Sequence, residues 1–170
     1  MAAGAFWGPV PESGRATGHN GGVARTYRLG TARRATNIVV TALLRHGIGG
    51  KSSYLLTTTG RHSGVSRTTP AILVESGSDH WLVAPYGDVG WVHNVRASRR
   101  ATLRRGKSVE VVLAEELGPE DAGPVLRSYL RDVRVTAPYF DAKATDPVER
   151  FVAEARRHPV FKLSTDPSPG

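Results

Sequence analysis

The chain has 170 residues, of which 39% are hydrophobic and 22% charged, and it contains no cysteine. This length suits one hydrophobic core rather than two ordinary domains, and the lack of cysteine excludes disulfide scaffolds, thiolate metal sites and cysteine nucleophiles. The formal net charge of +8 indicates an anionic partner. Residues 1–74 hold nine basic residues and one acidic residue, so we expect that partner to bind there.

Both ends of the chain are predicted to lie outside the folded unit. Residues 1–24 are rich in Gly, Pro and Ala, which predicts a flexible arm, and residues 165–170 are predicted to be a flexible tail. We therefore expect a single domain over residues 25–164. The first ten residues lack the basic start and long apolar middle of a secretory signal, and no apolar stretch approaches the roughly 18 residues of a membrane span. These features predict a cytoplasmic protein.

Residues 31–45 carry apolar side chains at helical spacing, with Arg33, Arg34 and Arg45 between them. This pattern predicts a basic amphipathic helix. Such a helix either covers one end of a barrel or lies on a membrane surface, and we favour the first interpretation while retaining peripheral membrane contact as the alternative.

Short strand-like runs follow, separated by turn residues. Strands are predicted over residues 53–59, 67–75 and 80–85, then a helix over 89–97, then a hairpin of 101–105 and 108–116. Two further helices are predicted, one from residue 119 to 131 and one from about 147 to 157, followed by a closing strand over 159–163. Together these elements predict an α+β fold around a small antiparallel barrel.

The segment 57–70, TTTGRHSGVSRTTP, surrounds two arginines with hydroxyl side chains and two glycines. Gly60 and Gly64 permit a turn whose successive N–H groups point into one concavity, and Arg61 and Arg67 present donors that match phosphate geometry. The spacing is neither that of a Walker A loop nor that of a dinucleotide-binding glycine motif. A phosphate site and a polar β-turn without a ligand are both consistent with these residues.

The same segment belongs to a wider pattern, which comprises LLTTTGRHSG at residues 55–64 with RTTP at 67–70, LVAPYG at 82–87, and GWVHNVRAS at 90–98. This pattern resembles the deazaflavin-dependent nitroreductase family. The resemblance implies a split β-barrel, related to barrels that bind flavin mononucleotide (FMN), which holds coenzyme F420. It also implies hydride transfer from the reduced coenzyme to an electron-poor acceptor, a quinone or a nitroaromatic compound. FMN is the alternative cofactor.

The same resemblance implies two groups of cofactor contacts. The contacts to the tail phosphate fall on Arg61, His62, Ser63, Arg67, Thr68, Thr69, Pro70, Ala71 and Ile72. The contacts to the deazaflavin ring fall on Ala84, Pro85, Tyr86, Gly87, Gly90, Trp91, Val92, His93 and Asn94. Two positions depart from the family pattern: His62 stands where many relatives have lysine, and Pro85-Tyr86 replaces a pair of small residues.

Hydride transfer requires an oriented pocket and a source of one proton. The candidate proton donors are Tyr86, His93 and Tyr139, and water is the alternative. The six histidines show no His-x-His or His-x-x-x-His pairing, so we expect no metal site.

Two other hypotheses remain at this point. The same fold could carry a flavin or deazaflavin without reducing a substrate of its own, or the basic segments could bind nucleic acid. We do not expect nucleic acid as a partner, because the chain shows no recognition helix, RNA-binding aromatic motif or zinc spacing. A homodimer is expected only by analogy with the fold.

Overall fold

Six antiparallel strands close into a barrel in the computed structural model, which describes Gly50 and residues 52–167. The strand order is β1-β2-β3-β6-β5-β4, and β4 pairs with β1 to complete the ring. The strands are β1 Ser53–Thr59, β2 Ser66–Ser76, β3 Asp79–Val83, β4 Arg100–Arg105, β5 Ser108–Glu116 and β6 Val160–Thr165. The predicted arm over 1–24 and the predicted helix over 31–45 lie outside the described residues.

Three α-helices and one 3₁₀ helix flank the barrel in the described part of the chain. The helices are α1 Gly90–Ser98, α2 Pro119–Asp132, the 3₁₀ helix Arg134–Tyr139, and α3 Val148–Glu154. None of them is long and apolar enough to cross a membrane. The predicted α+β fold around a small antiparallel barrel is confirmed.

Three predicted boundaries differ from the structure by two residues or more. β3 ends at Val83 rather than residue 85, because the chain turns there and the Gly87 N–H donates to the Ala84 carbonyl at 3.1 Å. The last helix ends at Glu154 rather than residue 157, because the chain continues there in turns, in which the Arg157 N–H donates to the Glu154 carbonyl at 2.8 Å. β6 continues to Thr165, the first residue of the predicted tail.

Two hydrophobic clusters stabilise the fold on the inner and outer sides of the barrel wall. The inner cluster, the barrel core, includes Leu56, Leu82 and Phe161, and α1 adds the fully buried Val92 and Val95. The outer cluster packs α2 and α3 against β2, β3 and β6. Because α1 contributes to the barrel core, this helix lies across one end of the barrel and brings the segments on either side of it together.

Candidate active site

The β1–β2 loop, residues 60–65, is closed by its own backbone. The Gly60 N–H donates to the Val65 carbonyl at 2.9 Å, and the Gly64 N–H donates to the Gly60 carbonyl at 2.8 Å. Gly64 has a φ of +66°, a conformation that side-chain-bearing residues rarely adopt. These bonds hold the exposed side chains of Arg61 and His62 at the tip of a rigid hairpin.

The sequence predicts that successive backbone N–H groups of this loop point into one concavity that suits an anion. In the structure these groups are bonded differently. Besides Gly60 and Gly64, the Arg61 N–H donates to Asn94 Oδ1 at 3.1 Å, and the Val65 N–H donates to Ser63 Oγ at 3.4 Å. Four of the loop's N–H groups therefore already have acceptors within the protein. An anion at this loop would therefore meet chiefly side chains, of which Arg61 carries a permanent positive charge.

Asn94 joins α1 to this loop. Its Nδ2 donates to Thr58 Oγ1 at 3.1 Å while its Oδ1 accepts the Arg61 N–H. The Asn94 side chain is 5% exposed and Thr58 is 2% exposed, so both bonds replace water contacts that burial has removed. Asn94, which the family resemblance assigns to the ring contacts, thus also fixes the position of the loop that carries Arg61.

Strand β2 divides the predicted tail contacts between two faces. Thr69 pairs with Leu56, a barrel-core residue, so Thr69 faces the barrel interior. Thr68 faces outward and shares a hydrogen bond of 2.8 Å between hydroxyls with Thr57 on β1. By the same alternation, Arg67 and Ala71 share the face of Thr69, and Pro70 and Ile72 share that of Thr68. A ligand lying on one face meets only one of these sets of side chains.

The segment 84–89 forms a tight turn between β3 and α1. The Ala84 N–H donates to the Pro159 carbonyl at 2.9 Å, and the Val89 N–H donates to the Gly87 carbonyl at 2.7 Å. Gly87 has a φ of +78°, and a Cβ added there would lie 3.1 Å from the Arg157 carbonyl oxygen. Glycine is therefore strongly favoured at this position, and the turn presents Tyr86, which is 37% exposed.

A cluster of three tyrosines lies beside this turn. The rings of Tyr86 and Tyr139 meet edge to face, with centroids 4.8 Å apart and an interplanar angle of 85°. Tyr129 on α2 is buried; burial and the neighbouring Tyr86 raise the pKa of its hydroxyl, against a hydrogen bond with Thr136 that lowers it. Tyr129 therefore remains neutral over the physiological range, and Tyr86 and Tyr139 form the aromatic surface next to it.

The other predicted ring contacts have different degrees of exposure. Trp91 is half-buried and packs on Phe161, with ring centroids 5.9 Å apart, and His93 is half-buried on the same helix. Gly90 is exposed at the first position of α1. The side chains of Ala84, Pro85 and Val92 are buried, so they support the turn and the helix from beneath.

A groove of about 510 Å³ lies on the outer side of β2, between that strand and the end of α2. Tyr129 contributes to its lining, and among the described residues the charged ones that line it are Glu75, Asp132 and Arg134. Counted over these residues, two acids and one base make this groove a poorer match for an anionic ligand than the β1–β2 loop, where the charged residues are basic.

The structure thus places the predicted residues in two groups at the same end of the barrel. Asn94 on α1 contacts the β1–β2 loop, and the first residue of α1, Gly90, follows the turn that carries Tyr86. Gly90 and Asn94 are four positions apart, so they are separated by about 6 Å along the helix axis. Sequence reasoning did not identify Tyr129 or the bond between Thr58 and Asn94, because both depend on contacts between segments far apart in the chain.

A family model described as F420H(2)-dependent quinone reductase matches residues 26–154. The match includes the β1–β2 loop, the 84–89 turn, α1 and the tyrosine cluster. A search of the curated proteins gives no match.

Several solved structures are similar to this chain. A structure described as an F420-H2 dependent reductase, FDR-A, has 28% sequence identity over 67% of this chain and 95% of its own, with a TM-score of 0.43. A FAD-binding protein from Mesorhizobium loti has 13% identity over 76% and 88% of the two chains, with a TM-score of 0.45. A putative pyridoxamine 5'-phosphate oxidase from Listeria innocua has 12% identity over 76% and 92%, with a TM-score of 0.46.

Proposed function

This chain belongs to the F420H2-dependent quinone reductase family, and from that premise we propose that it transfers a hydride from reduced coenzyme F420 to a quinone. Family membership makes it an oxidoreductase that uses F420 as its cofactor. The observation that carries the proposal is the family match over residues 26–154, which spans both groups of candidate site residues. The acceptor and the roles of individual residues are our proposals.

The side chains of the β1–β2 loop suit this cofactor chemically. Coenzyme F420 carries a phosphodiester and a glutamate tail, so it is a polyanion. Arg61, His62 and Arg67 are exposed, and residues 13–74 contain no acidic side chain. We therefore assign the tail to this loop and to the exposed end of β2, where guanidinium groups pair with phosphate and carboxylate oxygens.

The ring end of the site is assigned to the 84–89 turn and the start of α1. When bound, the cofactor supplies the hydride, and the quinone gains that hydride and one proton to become the hydroquinone. The protein's task is to orient the two reactants and to exclude water. Trp91, fixed by its packing on Phe161, and Tyr86, fixed by the turn, provide the orienting walls.

The quinone is assigned to the aromatic surface formed by Tyr86 and Tyr139. A flat, electron-poor ring stacks favourably on aromatic side chains, and either phenol hydroxyl can donate the proton, with His93 or water as the alternative source. A nitroaromatic compound is the second acceptor class to be tested. The predicted homodimer and peripheral membrane contact stay predictions.

The test follows the oxidation of reduced F420 by a soluble quinone. Parallel assays replace the quinone with a nitroaromatic compound, or replace reduced F420 with reduced FMN. We expect faster turnover with the quinone than with the nitroaromatic compound, and lower kcat when Tyr86 or Tyr139 is replaced by phenylalanine if that hydroxyl donates the proton. Binding of F420 without turnover of either acceptor class would instead indicate a carrier. Turnover with reduced FMN but not with reduced F420 would contradict the proposal.

A further inference from the structure

We infer that Glu154, Arg157 and His158 are positioning residues that fix Tyr139 against Tyr86 and so shape the acceptor side of the site. This inference rests on the proposed function for its catalytic consequence. It concerns the turn 154–159, which begins at the last residue of α3 and leads into β6, and the segment 139–142, which begins at the last residue of the 3₁₀ helix.

The first contact is made by a buried carboxylate. Glu154 Oε1 accepts the backbone N–H of Ala142, and the Glu154 residue is only 3% exposed. Its other oxygen, Oε2, lies 3.2 Å from His158 Nε2 and 3.5 Å from Arg157 Nη2. A carboxylate is costly to bury without partners, and within the described residues neither Oε2 nor His158 Nε2 makes a hydrogen bond. The bond from the Ala142 N–H to Oε1 is therefore the one that ties the 139–142 segment to α3.

Two further contacts hold the residues immediately after Tyr139. The ring of Phe140 stacks on the imidazole of His158, with centroids 3.9 Å apart and an interplanar angle of 19°. The guanidinium of Arg157 lies 2.6 Å from Asp141 Oδ2. Three consecutive residues, 140 to 142, therefore each contact a different residue of the turn 154–159 or of the end of α3.

The same turn also holds the other half of the aromatic surface. The Pro159 carbonyl accepts the Ala84 N–H at 2.9 Å, and the Arg157 carbonyl oxygen packs against Gly87, 3.1 Å from where a Cβ would stand. The segments that carry Tyr86 and Tyr139 are thus both fixed to residues 154–159. Their edge-to-face contact follows from this shared support, and movement of either segment would change the surface on which the acceptor stacks.

A pair of exposed arginines gives a matched test with little risk of unfolding. Arg157→Gln removes the charge that holds Asp141, whereas Arg156→Gln changes the neighbouring exposed arginine. We expect Arg157→Gln to raise the KM for the quinone up to about fivefold, in line with a partly exposed ion pair. The Kd for oxidised F420 and the urea midpoint are expected to match those of Arg156→Gln.

A second pair tests the buried carboxylate. Glu154→Gln keeps an oxygen that accepts the Ala142 N–H, whereas Glu154→Leu removes it at similar volume. We expect Glu154→Leu to raise the quinone KM more than Arg157→Gln does, and Glu154→Gln to restore most of the loss. Glu149→Gln, at an exposed position on the same helix, is the control.

Hydrogen exchange of the Ala142 amide supplies a readout that needs no cofactor. We expect exchange to be slow in the wild type and in Glu154→Gln, and faster in Glu154→Leu. If Glu154→Leu folds and shows both unchanged exchange at Ala142 and an unchanged quinone KM, the inference is overturned. If that variant does not fold, an unchanged quinone KM in Arg157→Gln overturns it. Failure of the wild type to bind F420 would contradict the proposed function, while the exchange result would still report on the position of the segment.

Discussion

The hydrogen bonds of Asn94 give a prediction whose size follows from the structure. Asn94→Ala removes the acceptor of the Arg61 N–H and the donor to Thr58 Oγ1, both at 3.1 Å. A buried polar group left without its partner costs about 1–3 kcal/mol. Thr58 is almost fully buried and the Arg61 amide is partly buried, so we expect a total loss of about 2–4 kcal/mol in the free energy of unfolding.

Urea denaturation measures this loss as a lower midpoint at an unchanged m-value. Thr58→Val removes the hydroxyl that accepts the bond from Asn94 Nδ2. Thr59→Val, at the next position of β1, which is exposed, is its matched control. The double variant of Thr58→Val and Asn94→Ala should lose less than the sum of the single losses, because the two changes remove the same bond. A loss below about 0.5 kcal/mol in Asn94→Ala, or strict additivity, would refute the proposed bridge.

Three further changes have defined expected results. Gly87→Ala places a Cβ at a φ of +78° and 3.1 Å from a carbonyl oxygen, so we expect a loss of about 1–2 kcal/mol, seen as a lower Tm; an unchanged Tm would contradict the turn geometry. Arg96 pairs through one guanidinium with Asp88 and Glu116 at 2.7 and 2.6 Å, and is partly exposed, so Arg96→Gln should cost at most about 1 kcal/mol and less at high salt; a larger, salt-independent loss in urea denaturation would show that packing dominates. Because the pKa of Tyr129 is raised in the folded protein, this hydroxyl ionises at lower pH in the unfolded chain, so its contribution to stability is full below pH 10 and is lost as the pH rises above it. Tyr129→Phe should therefore show a shallower decline in urea midpoint above pH 10 than the wild type, and equal declines would contradict the assignment.

The strands and turns were predictable because local residues determine them. Gly77 and Gly106 both have positive φ values, near +60°, at hairpin turns, and the apolar runs on either side fix the strands. The same holds for α2, which begins with Pro119 followed by two acidic residues in its first turn. These signals lie within a few residues of the feature that they predict.

The arrangement of the candidate site was only partly predictable. The segments that form it, the β1–β2 loop and the turn before α1, were identified from residues 57–70 and 82–98. The bonds between Asn94 and Thr58, and between Glu154 and Ala142, join positions 36 and 12 residues apart, and no local pattern specifies them. The division of β2 into two faces follows from its two-residue period, a signal that is weak over residues 66–71 because that part of the strand, SRTTPA, is a run of polar and small residues.

The most direct test of the account is an equilibrium titration of the protein with oxidised coenzyme F420, with FMN as comparator, followed by fluorescence. It is repeated for Arg61→Ala, Arg67→Ala and Arg150→Ala, the last being an exposed arginine on α3. We expect F420 to bind more tightly than FMN, with a loss of about tenfold or more in the first two variants and none in the third. Preference for FMN, or equal affinity in all four proteins, would contradict the assignment of the cofactor to the β1–β2 loop.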